Sequence, residues 1–182
     1  MSDKGSIIFG GRYELKKRIA RGGMAEVFLG EDQLLGRPVA VKVLFPEFAS
    51  DPNFVERFRR EAQAAANLSH PNIVGVFDWG KESNTYYIVM EYVEGRTLSQ
   101  IIRKEGPLPT ARVAEIADAI ASAVGFAHKG NVVHRDMKPG NVIISDNGQI
   151  KVADFGIATA ISTGSDTDLS LIHISEPTRL RR

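Results

Sequence analysis

Alternating apolar and polar positions predict that the first half of the chain is rich in strands. Five stretches fit this pattern: 13–20, 25–31, 37–44, 73–79 and 85–92. Between the third and fourth stretches, Asp51-Pro52 is typical of a helix start. The residues that follow it at helical spacing are Phe54, Phe58, Ala62 and Ala65. We therefore expect a five-stranded sheet with one helix, preceded by a flexible leader over 1–11.

The second half has helical periodicity instead. A short helix is expected over 97–104, ended by Gly106-Pro107, and a longer one from Pro109 or Thr110 to Lys129. A short apolar hairpin follows, with strands over 142–145 and 149–152. The pattern predicts an α+β chain of two lobes, with a boundary near 93–95 and a ligand cleft between them.

Composition excludes several classes of function. Hydrophobic residues make up 43% of the chain and charged residues 25%, as in ordinary globular proteins. The net charge of +1 gives no indication of a nucleic-acid partner. The absence of cysteine excludes a disulfide framework and agrees with a reducing, cytoplasmic compartment. No apolar run reaches membrane-span length, so no membrane segment is expected within this chain.

The most specific polar residues flank the predicted hairpin. Asp136 and Asn141 precede it, in His-Arg-Asp-Met-Lys-Pro-Gly-Asn, and Asp154 follows it, in Asp-Phe-Gly. A hairpin would bring the three side chains to one rim. Two carboxylates and an amide match the hard oxygen ligands that Mg²⁺ prefers, so the sequence predicts a site for a divalent metal and a phosphate.

Lys42 lies within the apolar strand sequence Val-Ala-Val-Lys. A buried ammonium needs an anionic partner, and Glu61 on the next helix is the natural candidate. The alternatives are an edge lysine whose charge reaches solvent and a solvated Glu61.

The turn Arg21-Gly22-Gly23 lies between the first two predicted strands. Glycine allows a backbone to approach phosphate groups closely, although a plain hairpin turn has the same pattern.

Together these motifs resemble the eukaryotic-like (Hanks-type) serine/threonine protein kinases of bacteria. The resemblance covers about 12–163, and the stretches 22–27, 57–62 and 70–74 are especially similar to the actinobacterial receptor-kinase branch. It implies a complete N-lobe over 12–93 and a partial C-lobe over 94–163, through Asp-Phe-Gly. It also implies phosphotransfer from ATP, with Mg²⁺ or Mn²⁺, to protein serine or threonine, including self-phosphorylation.

The resemblance gives each catalytic candidate a role. Lys42 would bind the α- and β-phosphates and pair with Glu61. Asp136 would accept or orient the proton of the substrate hydroxyl, and Lys138 would steady the γ-phosphate. The metal ligands would be Asn141 and Asp154.

It also implies a nucleotide pocket. The backbone of Glu91 and Val93 would meet the adenine, with Met90 as gatekeeper. The residues expected to sandwich the base are Val27, Ala40 and Ile143. The loop expected over the phosphates contains Ala20, Gly22 and Gly23; only Gly22 matches the three glycines of the family pattern, so we expect altered nucleotide affinity.

The chain departs from the family after Asp-Phe-Gly. Residues 164–182 would be the start of an activation loop and a non-native tail, since about 169–182 resemble a translated sequencing adapter. We therefore expect a C-terminally truncated domain with little or no phosphotransfer of its own. A membrane anchor could follow in the missing part.

Two other functions remain open at this stage. A pseudokinase that binds nucleotide or scaffolds partners would agree with the altered glycine loop, and intact Lys42, Asp136, Asn141 and Asp154 argue against it. A small-molecule kinase of similar fold is the other alternative, and Lys138 favours protein substrates over it.

Overall fold

The computed structural model describes residues 7–155, except for the side chains of Arg57 and Glu61. The first lobe contains a six-stranded sheet in the order β1-β2-β3-β4-β6-β5. Its strands are β1 Ile7–Phe9, β2 Tyr13–Arg21, β3 Ala25–Asp32, β4 Arg37–Leu44, β5 Val76–Glu82 and β6 Thr85–Glu91. All neighbouring strands in it are antiparallel. The predictions for 1–6 and 156–182, including the tail, lie outside the described residues.

The prediction of five strands was wrong, and the described part of the expected 1–11 leader contains a strand. Ile7–Phe9 forms a sixth strand, with Phe9 opposite Tyr13. The ring of Phe9 packs edge-on against Tyr87, with centroids 5.3 Å apart. A strand of three residues, between Gly5-Ser6 and Gly10-Gly11, is too short to show a periodic pattern. It is stabilised instead by contacts with residues elsewhere in the chain.

The fourth predicted strand was placed too early, over 73–79. The strand of the large sheet begins at Val76 because the residues before it pair elsewhere. Val74 donates its N–H to Val152 O at 2.9 Å, and Ile73 forms a bridge with the same residue. This segment therefore joins the first lobe to the second.

The predicted helix is confirmed as α2, Pro52–Ala66, and its Asp51 cap accepts from the N–H groups of Asn53 and Phe54. Its buried face consists of Phe54, Phe58, Ala62 and Ala65. The first lobe also has a four-residue helix, α1, at Pro46–Ala49, so the expectation of one helix was incomplete.

The second lobe contains a three-stranded sheet and two helices. Its elements are β7 Gly95–Thr97, α3 Leu98–Glu105, α4 Thr110–Lys129, β8 Val142–Ser145 and β9 Ile150–Val152, with a 3₁₀ turn at Pro139–Asn141. A capping box between Thr97 and Gln100 starts α3. Fully buried Ala123 and Ala127 let β9 lie close to α4. Among residues 7–155, no helix has both the length and the apolar character needed to cross a membrane.

The packing of β1 can be tested with two glycines that share a left-handed backbone, Gly10 (φ 57°) and Gly11 (φ 63°). A Cβ at Gly10 would collide with the hydroxyl of Tyr87, whereas one at Gly11 would meet nothing within 4 Å. We expect Gly11→Ala to cost about 1 kcal/mol and Gly10→Ala about 1–3 kcal/mol more, measured by urea unfolding.

The control removes the colliding atom. In a Tyr87→Phe background the difference between Gly10→Ala and Gly11→Ala should shrink, because the next ring atom lies 3.4 Å from the added Cβ. If the two variants still differ as much in unfolding free energy in this background, the collision with the Tyr87 hydroxyl is not the cause of the difference.

Candidate functional site

His134 joins the loop before the hairpin to the segment after it. Its Nδ1 accepts from the N–H of Asp136 at 3.3 Å, which assigns the proton to Nε2. Nε2 then donates to Ala153 O at 2.8 Å, and the ring packs edge-on against Phe155 with centroids 4.7 Å apart. This buried histidine therefore fixes the two aspartate segments relative to each other.

The backbone is strained at two non-glycine residues of the site. Arg135 has φ 66° and Asp154 has φ 62°, in the left-handed region that most side chains avoid. Such conformations persist only where surrounding contacts hold them, and they concentrate at functional sites. Here they flank the hydrogen bonds of His134.

Asp136 carries hydrogen bonds from two predicted site residues. Lys138 Nζ donates to Oδ2 at 2.6 Å, and Asn141 Nδ2 donates to Oδ2 at 3.2 Å and to the Asp136 carbonyl at 2.8 Å. The hydrogen bond from Lys138 is the main cause of a lowered pKa of Asp136, and Asn141 contributes less. The structure thus brings Asp136, Lys138 and Asn141 together around an ionised carboxylate.

Lys42 meets a carboxylate of the other lobe. Its side chain, 9% exposed, donates from Nζ to Asp154 Oδ1 at 2.9 Å. The predicted partner, Glu61, lies on α2, but its side chain is outside the described part of the chain. The expectation that Lys42 needs an anion is confirmed, and the Lys42–Glu61 pair stays a prediction.

The apolar candidates come from both lobes and pack into one cluster. Ala40 and Met90 are buried opposite each other on β4 and β6. Val27, Val93 and Ile143 are partly buried against them, and Ile143 belongs to the second sheet. The structure therefore brings together the residues expected to enclose a flat apolar group.

The glycine turn is closed by a short backbone hydrogen bond and is exposed to solvent. Gly22 donates its N–H to Ala25 O at 2.8 Å, and Ala20 pairs with Val27 across the hairpin. A Cβ at Gly23 would meet no atom within 4 Å, so packing within the chain does not require glycine there. The exposed turn leaves its backbone accessible to a ligand.

Glu91 is held at the junction between the lobes. Its N–H donates to Gly75 O at 2.8 Å. The backbone of Glu91 could therefore take part in a hydrogen bond with a base only as an acceptor, through its carbonyl oxygen. Its carboxylate accepts from the N–H of Gly75 at 3.1 Å and from Lys151 Nζ at 3.0 Å.

The sequence interpretation missed Lys151. The signal was present, because Lys151 lies between two apolar strand residues, as Lys42 does.

The lowered pKa of Asp136 predicts a pH effect. The carboxylate stabilises the fold above its unfolded pKa of about 3.9, and this contribution is lost as the pH falls through the lower folded-state value. We expect Lys138→Met to raise the Asp136 pKa towards the ordinary value, measured by NMR titration of its carboxyl carbon. Asn141→Ala should raise it less, and the exposed control Lys104→Met should leave it unchanged. An unchanged pKa in Lys138→Met would contradict this assignment.

Known proteins are similar to this chain in sequence and in fold. The family model of the protein kinase domain matches residues 13–175. The chain is 49% identical over 175 residues to the serine/threonine-protein kinase PrkC of Bacillus subtilis, covering 94% of this chain and 27% of PrkC. It is 42% identical over 177 residues to PknA of Mycobacterium tuberculosis, covering 94% of this chain and 41% of PknA. The crystal structure of the M. tuberculosis PknI kinase domain superposes with a TM-score of 0.75 at 36% identity, over 85% of this chain and 63% of that one.

Proposed function

Since the chain belongs to the protein kinase family, we propose that its protein transfers the γ-phosphate of ATP to serine or threonine hydroxyls of proteins. The observation that carries this proposal is the convergence of Asp136, Lys138 and Asn141 beside a Lys42–Asp154 pair that spans the two lobes. The chain spans only 27% of PrkC and 41% of PknA. The activity of the whole protein is therefore a proposal.

Asp136 is the proposed base. Its lowered pKa keeps the carboxylate ionised at neutral pH, ready to accept or orient the proton of the attacking hydroxyl. Lys138 Nζ lies 2.6 Å from Asp136 Oδ2. The lysine side chain is long enough to contact a γ-phosphate as well. Both residues remain partly exposed, which suits contact with a substrate.

The described residues fit a divalent cation. The side-chain nitrogen of Asn141, Nδ2, donates to Asp136. The side-chain oxygen, Oδ1, is therefore the atom of Asn141 that could bind a metal beside Asp154. Within 7–155 no group of three or more His, Asp or Glu side chains could hold a metal ion unaided. This agrees with Mg²⁺ or Mn²⁺ sites that share one or two protein ligands with phosphates and water. Bound there, the cation would neutralise phosphate charge.

ATP is proposed to occupy the cleft between the lobes. The cluster containing Val27, Ala40 and Ile143 would enclose the adenine, beside the gatekeeper Met90. The Glu91 carbonyl and the Val93 backbone would bind its polar edge. The turn with Ala20, Gly22 and Gly23 would cover the phosphates with its N–H groups.

Lys42 would bind the α- and β-phosphates and pair with Glu61. Its present partner, Asp154, is a proposed metal ligand. Binding of nucleotide and cation would therefore require Lys42 to exchange a carboxylate contact for a phosphate contact. Both states keep its buried charge neutralised.

Several finer assignments belong to this proposal. They are self-phosphorylation, a cytoplasmic location, an anchor beyond the chain, and the actinobacterial receptor-kinase branch. The identity is 49% to a B. subtilis protein and also 49% to a Streptomyces coelicolor protein, so identity alone does not distinguish that branch. The domain assignment also remains a proposal: an N-lobe over 12–93, the first part of a C-lobe over 94–163, and a non-native tail.

The extent of the protein can be tested on the source DNA. A long read across the codons for 167–182 is expected to replace the adapter-like tail with a reading frame that continues into further helices of a C-lobe. If the tail codons are genomic instead, the nucleotide-binding, non-catalytic alternative becomes the better proposal.

The proposed reaction can be tested on the protein encoded by that longer frame. Asp136→Asn should lower kcat for phosphorylation of a generic serine/threonine protein substrate by about 10²–10⁴-fold, while MgATP binding persists. Lys104→Met, an exposed change on α3, is the control. Wild-type protein that binds MgATP and transfers no phosphate would support the pseudokinase; transfer to small molecules alone would support the small-molecule kinase.

A further inference from the structure

Lys151 is a buried cation that the proposed reaction does not use. It lies on β9 between Ile150 and Val152, and its side chain is 9% exposed. Its Nζ lies 3.0 Å from both carboxylate oxygens of Glu91, whose side chain is 31% exposed. An ion pair so shielded is screened little by salt, and removing either partner would leave an uncompensated charge.

This pair joins three parts of the chain at one point. Glu91 ends β6 of the first lobe, and Lys151 belongs to the small sheet of the second. Gly75, just before β5, exchanges hydrogen bonds with Glu91 through both its N–H and its carbonyl. The residues that connect the lobes, 92–94, begin immediately after this junction.

The space around the pair is loosely filled. A cavity of about 470 Å³ borders the pair and is lined by His70 and Phe77 among others. A second, of about 280 Å³, is lined by the connecting residues and by Asp146 and Asn147. Glu91 and Lys151 line both cavities. Beside this open space, the ion pair restrains the Glu91 side chain from the second lobe.

We propose that Lys151 is a positioning residue that holds the connection between the lobes through Glu91 and so sets the affinity for the adenine ring. The inference rests on the proposed function, because it requires adenine to bind beside the Glu91 and Val93 backbone. Lys151 would act indirectly, because it contacts the Glu91 side chain and not the proposed nucleotide. Its loss should therefore weaken recognition of the base and spare the contacts to phosphate.

Binding measurements on the full chain test this selectivity. Lys151→Met should weaken MgATP binding about tenfold, equivalent to about 1.4 kcal/mol. Binding of inorganic triphosphate with Mg²⁺, which has no adenine, should change less than twofold. Lys151→Arg keeps the charge and should restore most of the ATP affinity, and the exposed Lys104→Met is the matched control. Equal losses for both ligands, or no loss for ATP, would overturn the proposal.

A second measurement needs no nucleotide. Amide hydrogen exchange over 91–95 should be faster in Lys151→Met and in Glu91→Gln than in wild type or Lys104→Met, with distant strands such as β2 unaffected. Glu91→Gln serves if Lys151→Met fails to fold. If wild-type protein does not bind ATP but the exchange behaves as expected, the proposal of nucleotide binding is wrong, and the role of Lys151 in restraining residues 91–95 stands. If ATP binds and exchange over 91–95 is unchanged in both variants, the proposed role of Lys151 is wrong.

Discussion

Neutralisation of a buried lysine by a carboxylate from the opposite lobe is the interaction on which this structure depends. Lys42 on β4 of the first lobe pairs with Asp154, which follows β9 of the second. Lys151 on β9 pairs with Glu91 at the end of β6. Burying an ammonium without a partner is costly. Each lobe therefore supplies a carboxylate that neutralises a buried lysine of the other lobe. Opening the cleft widely would expose or separate both pairs.

The backbone between these pairs reinforces the junction. Val152 accepts from Val74 and donates to Asn72, so β9 is held by the segment that leads into β5. His134 binds Ala153 one residue further on. The left-handed conformation of Asp154 is thus fixed by neighbours on both sides, which places its carboxylate before any ligand arrives.

The same physical features explain why the site can be both charged and apolar. The charged groups Asp136, Lys138 and Asp154 lie on the short segments after α4 and β9, where the backbone turns and these side chains remain partly exposed. The apolar cluster of Ala40, Met90 and Ile143 lies deeper, where strands of both sheets pack together. A ligand with a flat apolar end and an anionic end would match this division.

The sequence by itself determined most elements and supplied the candidate site residues. Local periodicity placed β4, α2 and α4 closely, because their buried faces repeat at the strand or helix period. The loop with Asp136, Lys138 and Asn141 was recognisable because these residues follow one another closely along the chain, and the hydrogen bonds among the three span at most five positions. A lysine within an apolar strand indicated that Lys42 needed an anion.

Only the tertiary structure showed that Asp154 is an anion beside Lys42, since the two residues lie 112 positions apart along the chain. It also decided that β1 forms a sixth strand and that Ile73 and Val74 pair with Val152 instead of extending β5. Lys151 and Glu91, 60 residues apart, were not paired from sequence for the same reason. Periodicity reports which face of an element is buried, whereas the partner across that face depends on how the lobes pack.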